Sequence, residues 1–117
     1  MNKIRQLALL LVLTSSAPAM AADYAPLDCA KAATPTEKAI CSSYGLGQAE
    51  ARMATLYQWA TSFVAMGQRG ILQDQQTAFI KKREACGADA RCIGSAYSIR
   101  IEQLEAVMDN VKRHGPF

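Results

Sequence analysis

Thr34-Pro35-Thr36-Glu37-Lys38-Ala39-Ile40-Cys41 reads as the opening of a helix. A threonine stands where its side-chain oxygen can cap the first free amides, and a proline takes the first helical position, where its missing N–H costs nothing. A glutamate follows three residues after the cap, completing a helix-start signature. The pattern runs into Tyr44-Gly45, and glycine tolerates the left-handed geometry that closes a helix, so this helix is expected to end there. A short helical turn from Asp28 fits in front of it.

Working outward, Ala49, Met53, Leu56, Ala60 and Phe63 recur every three or four positions between Leu46 and Met66, with Glu50, Arg52 and Gln58 off the stripe. That spacing predicts an amphipathic helix of about five turns. Gly67-Gln68-Arg69-Gly70 then carries two glycines and no apolar residue, which predicts a short loop between antiparallel neighbours. A third helix is expected from Ile71 to about Cys86. Its inward arc of Leu72, Phe79 and Cys86 also holds Gln76 and Arg83, polar groups that are costly to bury without partners. We read Gln76, Phe79, Arg83 and, from the next helix, Tyr97 as an inter-helix network in which Arg83 meets a carboxylate or helix-end carbonyls. Asp89 caps a last helix starting at Ala90, with Ile93, Tyr97, Ile101, Leu104, Met108 and Val111 on one side, ending before His114-Gly115-Pro116. No segment alternates as a strand does. The expected fold is all-α, a small bundle of about four helices with helix hairpins.

The first residues give the setting. Lys3 and Arg5 precede an apolar run from Leu7 to Leu13 and small residues ending Ala19-Met20-Ala21, the three-part layout of a cleavable secretory signal over residues 1–21. The run is far short of the roughly 20 residues a membrane span needs, and Cys29 falls too late to carry a lipid. The expectation is an exported protein, periplasmic or secreted, with no membrane span or lipid anchor and one helical domain over residues 22–117. Loss of Lys3 and Arg5 takes thirteen basic residues to eleven against ten acids, so the formal charge falls from +3 to +1. That leaves nucleic-acid binding without an electrostatic footing. Lys81-Lys82-Arg83 lies inside a helical pattern, where a solvated face is the plainer reading than a binding patch.

Export also supplies an oxidising compartment, and the four cysteines group by separation as Cys29 with Cys41 and Cys86 with Cys92. Two local staples are expected on that grouping, the second closing a hairpin of the last two helices, although four cysteines allow three connectivities. Neither spacing is that of a redox motif or a zinc site, and the two-cysteine-plus-histidine haem motif is absent, so no metal or cofactor is expected. Catalytic residues are also not apparent. His114, the one histidine, lies near the chain end, the serines have no evident partner, and Glu102 and Glu105 fall off their helix's apolar stripe. Met53, Met66 and Met108 read as core before they read as an adaptable groove.

Asp28-Cys29 followed by Thr34-Pro35-Thr36-Glu37-Lys38-Ala39-Ile40-Cys41 resembles the opening signature of the lysozyme-inhibitor LprI-like N-terminal domain family. Gln76, Phe79, Arg83 and Cys86 fall where that family has glutamine, usually tryptophan, arginine and cysteine, and Cys92, Tyr97, Arg100, Ile101 and Leu104 match its last helix. Phe79 keeps the aromatic packing of the usual tryptophan and loses its indole donor. The resemblance implies an all-helical fold, cysteines paired within each block, and a small exported bacterial protein that binds lysozyme and shields peptidoglycan. Lysozyme depends on two carboxylates in a cleft, for which a basic or donor-rich protrusion is the natural plug. Arg69 in the two-glycine loop and Arg91 between the second pair of cysteines are the candidate partner-binding residues by loop position. The alternative is a non-enzymatic envelope-stress or interaction module with no lysozyme binding, and an enzyme acting on cell-wall material ranks last.

Overall fold

The computed structural model describes residues 26–115, and within them the chain forms a single 3-10 turn, Cys29–Lys31, followed by four α-helices and no strand. The expected leader over residues 1–21 lies outside the described residues. The helices are α1 (Pro35–Ser42), α2 (Tyr44–Phe63), α3 (Met66–Glu84) and α4 (Ala90–His114).

The start of α1 is built as its residues require. Thr34 Oγ1 accepts from Glu37 N at 3.1 Å, and Glu37 Oε2 reaches back past the cap to accept from Ala33 N at 2.9 Å. Its end departs from expectation. No left-handed glycine closes the helix at Gly45. Ser43 alone, extended at φ −114° and ψ 121°, ends α1, and its Oγ accepts from Leu46 N at 3.3 Å to cap α2. One serine serves both helix ends, so Gly45 lies in the first turn of α2.

The corner between α2 and α3 also moves. Gly67-Gln68-Arg69-Gly70 is helical, within the opening turns of α3, and the chain turns instead at extended Val64 and Ala65. Buried Val64 anchors this corner in the core. Arg69 Nε donates to Thr61 O at 2.8 Å, satisfying a carbonyl that the last turn of α2 leaves free. A left-handed glycine is used between α3 and α4, where Gly87 has φ +58°, before Asp89 accepts from Cys92 N at 3.0 Å and opens α4.

The cysteines pair as Cys29–Cys41 and Cys86–Cys92, each with Cα atoms 5.6 Å apart. The first ties the 3-10 turn to α1, and the second closes the α3–α4 corner. α2 packs mainly along α4, α3 lies against both, and α1 caps one end. Ile40, Met53, Ala60, Ile93, Tyr97 and Leu104 form the most enclosed part of the core.

The inward face of α2 is rotated from the expected one. Leu46, Glu50, Met53, Tyr57 and Ala60 are buried, with Val64 following, whereas Phe63 is 44% exposed. A hydrophobicity reading rejects Glu50 and slides to the neighbouring arc. The true stripe contains a carboxylate because α3 and α4 supply partners for it. On α4 the buried set includes Ala96 and Arg100, and Ile101 and Met108 are only partly covered.

Candidate functional site

Burying Glu50, Gln76, Arg83 and Arg100 in a domain this small requires partners for each, and the structure distributes them between two clusters. In the first, α2, α3 and α4 each contribute one side chain. Arg83 Nη1 lies 3.3 Å from Glu50 Oε2 and 3.2 Å from the Tyr97 hydroxyl, and that hydroxyl donates to Glu50 Oε2 at 2.5 Å. Leu27 N donates to Glu50 Oε1 at 3.0 Å, drawing the segment before the 3-10 turn onto the bundle. Arg83 Nη2 reaches Glu84 Oε1 at 3.1 Å.

Phe79 supports this cluster from the side. Its ring meets Tyr97 edge-on with centroids 5.4 Å apart, and the Arg83 guanidinium carbon lies 5.9 Å from its centroid. Arg83 Nε has no hydrogen bond among the described residues. Burial disfavours the charge on Arg83, but Tyr97 and Glu50 outweigh it and hold the guanidinium more firmly protonated than usual. Burial, and then the hydrogen bond to Glu50, raise the Tyr97 phenol above its ordinary range, so it remains a neutral donor.

Gln76 does not join Arg83. The two are seven residues apart, about two turns or ~10 Å along the helix. Gln76 belongs to a second cluster, donating to Met53 Sδ at 3.2 Å and accepting from Arg100 Nε at 2.9 Å. Arg100 is 1% exposed, and its remaining donors reach Gln103 Oε1 at 3.2 Å, Leu72 O at 3.3 Å and Gln75 Oε1 at 3.4 Å. Burial pulls its pKa down, yet an arginine keeps its charge at neutral pH.

Glu50 and Arg100 are the polar residues that pattern reading passed over. Glu50 is the sole acid on α2 and sits three residues before Met53 and seven before Tyr57, so a search for a partner to Arg83 at stripe spacing would have found it. Arg100 stands three residues after Tyr97 and four before Leu104, within the α4 stripe.

The remaining candidates are scattered over the surface. Arg69 is half-buried in the first turn of α3 and engaged with Thr61, not displayed on a loop. Arg91 is exposed, but as the second residue of α4. His114 is exposed at the end of α4, with Nδ1 3.1 Å from Asn110 O. Glu102 is exposed, and Glu105 pairs with Arg52 across α2 and α4. The methionines do not share a face: Met53 is fully buried, Met108 packs partly against the core, and Met66 is 82% exposed.

Met66, the first residue of α3, is close in sequence to two other exposed apolar side chains, Trp59 and Phe63. Trp59 and Phe63, four residues apart on one face of α2, are 53% and 44% exposed, and Met66 follows across the corner. A second surface feature runs between α3 and α4. One cleft of about 220 Å³ is lined by Phe79, Ala96, Ile99, Lys82, Arg100 and Gln103 among others, and one of about 320 Å³ by Ile71, Leu72, Val107, Gln68 and Asn110. Gln75 borders both clefts.

Among the described residues no group of three or more histidine, cysteine, aspartate or glutamate side chains is placed to hold a metal, and no helix is long and apolar enough to cross a membrane. No protein-family model, curated protein or solved structure matches this chain.

Proposed function

We propose that this is an exported binding protein of the lysozyme-inhibitor type, which docks on lysozyme and protects peptidoglycan without catalysing a reaction itself. The observation that carries the reading is the meeting of the two sequence blocks on which the LprI-like resemblance rests. Thr36 Oγ1, from the first block, donates to Gly87 O at 2.7 Å and approaches Glu84 O at 3.3 Å, beside the second block's Arg83 and Cys86. The two blocks thus meet in the fold, with Phe79, Arg83 and Tyr97 assigned to one interior cluster that holds it together and Gln76 to the other. Recognition is left to the surface.

The near-neutral mature charge gives little long-range attraction to a basic lysozyme, so affinity has to come from a few desolvated anchors. Trp59, Phe63 and Met66 are exposed side chains of a type enriched in protein interfaces, as is Tyr44 at the start of α2. Arg91, exposed beside the Cys86–Cys92 staple, is the one of the two candidate arginines still available to a carboxylate-lined cleft.

The test is the rate at which lysozyme clears a cell-wall suspension. Oxidised protein slows clearing at near-stoichiometric ratio, Trp59→Ala with Phe63→Ala removes most of the effect, and Arg91→Ala removes part. Unchanged clearing with every lysozyme class contradicts the reading.

The second reading, an envelope interaction module indifferent to lysozyme, is favoured by one observation. Arg69 is turned onto Thr61, which weakens the case for a basic plug, whereas an apolar corner suits many protein surfaces. It predicts capture of bacterial envelope proteins by the wild type, loss of capture on Trp59→Ala, and no change on adding lysozyme.

A further inference from the structure

We propose that the groove between α3 and α4 binds the carboxylate end of an extended peptide, with Arg100 as the residue that receives the anion. The two buried arginines are provided for very differently. Arg83 faces Glu50 and Glu84. Arg100 is at least as deeply buried, and among the described residues the oxygens that accept its hydrogen bonds are neutral, those of Gln75, Gln76 and Gln103 and the Leu72 carbonyl, while the titratable group that favours its charge is a phenol, Tyr57. A buried cation with no carboxylate among its described partners is a costly feature, which a bound anion would repay. Arg100 also lines the smaller cleft, where Lys82 adds a second positive charge, and among the described residues no carboxylate lines either cleft. The complement of this lining is negative.

The hydrogen-bond lengths suggest how an anion enters. Nε and Nη2 are held from within by Gln76 and Leu72, whereas Nη1 is shared by Gln75 at 3.4 Å and Gln103 at 3.2 Å, both exposed side chains. A carboxylate displacing these two amides makes a shorter, charge-assisted bond to Nη1, and the released glutamines return to water at little cost.

The neighbouring cleft, joined through Gln75, is walled by Ile71, Leu72 and Val107 and takes an apolar side chain. Gln68 and Asn110 at its edge both donate and accept, which matches the alternating N–H and C=O of a peptide backbone. An acyl chain would make no use of those amides. This site uses none of Trp59, Phe63 or Arg91, so it stands or falls independently of lysozyme binding.

The experiment is an NMR titration of the isotope-labelled, disulfide-intact protein with acetylated leucyl-alanyl-leucine, as the free acid and as the C-terminal amide. The free acid is expected to shift the Arg100 Nε–H and the Gln75 and Gln103 side-chain signals saturably, and the amide to bind at least about tenfold more weakly. Arg100→Lys, which keeps the charge and loses the fork, should weaken the acid by a similar factor. The acid-against-amide comparison needs no substitution, so it holds even if that variant folds poorly. Equal shifts from acid and amide overturn the proposal, as does the absence of a saturable shift at roughly millimolar peptide. Groove shifts produced only by laurate would assign the site to a fatty acid and overturn the peptide. Groove shifts on concentrating the protein alone would assign it to a second copy.

Discussion

Glu50 accepts hydrogen bonds or charge from three directions: the Leu27 amide, the Tyr97 hydroxyl and the Arg83 guanidinium. Removing one partner of a buried pair strands the other charge, at a cost of about 3–5 kcal/mol. Glu50→Gln and Arg83→Leu are therefore both expected to lower Tm sharply, and thermal unfolding followed by circular dichroism checks this. An Arg83→Leu protein that melts normally but loses binding would move Arg83 from scaffold to binding surface. Tyr97 adds a pH dependence. Burial and its bond to Glu50 raise its folded pKa above the ordinary phenol value of about 10. The folded state then keeps a proton that the unfolded chain releases, so the stabilisation is complete below that value and declines as pH rises through the folded pKa. Tyr97→Phe should melt lower at pH 8, where the hydrogen bond is lost, but its Tm should fall less steeply across the alkaline range. Parallel slopes for the two proteins would show that Tyr97 does not govern that decline.

At the scale of helices, the start signals at Thr34 and Asp89 were legible in the sequence because a cap is a local matter of one side chain and one or two amides. The glycines were not. Gly45, Gly67 and Gly70 read as breaks yet lie within helices, since Ser43 and Val64-Ala65 turn the chain with extended residues and tertiary packing carries the cost of helical glycine. This gives opposite signs for one substitution. A Cβ at Gly70 meets nothing within 4 Å, so Gly70→Ala should stabilise by up to about 1 kcal/mol and raise Tm by a few degrees. Gly87 at φ +58° is left-handed, and Gly87→Ala should destabilise by about 1–2 kcal/mol. Chemical denaturation of both variants reads the two signs, and a stabilising Gly87→Ala would deny the corner geometry. The α2 stripe was misread for a related reason. Its register depends on Glu50, whose burial makes sense only once Arg83 and Tyr97 are brought against it from other helices.

For the whole molecule, the staples divide the labour with the ion cluster. Cys29–Cys41 and Cys86–Cys92 fasten the two outer corners, while Glu50, Arg83 and Tyr97 join α2, α3 and α4 in the interior. The loops closed are short, for which chain entropy gives roughly 2–3 kcal/mol each. Replacing Cys86 and Cys92 with serine should lower stability by about that amount while leaving helix content unchanged. The fold class and the grouping of cysteines were readable from spacing alone. The surface was not: Phe63 read as core, Trp59 was passed over, and Arg69 read as a loop residue, because exposure is set by how helices cross and not by any one helix. The central claim is that this scaffold displays a lysozyme-binding surface at the Trp59 corner. Titration calorimetry of the oxidised protein against a panel of lysozymes tests it most directly. The expected result is saturable one-to-one binding to at least one class, lost on Trp59→Ala with Phe63→Ala while Tm stays unchanged. Absence of binding across the panel, or binding untouched by that double substitution, would contradict it.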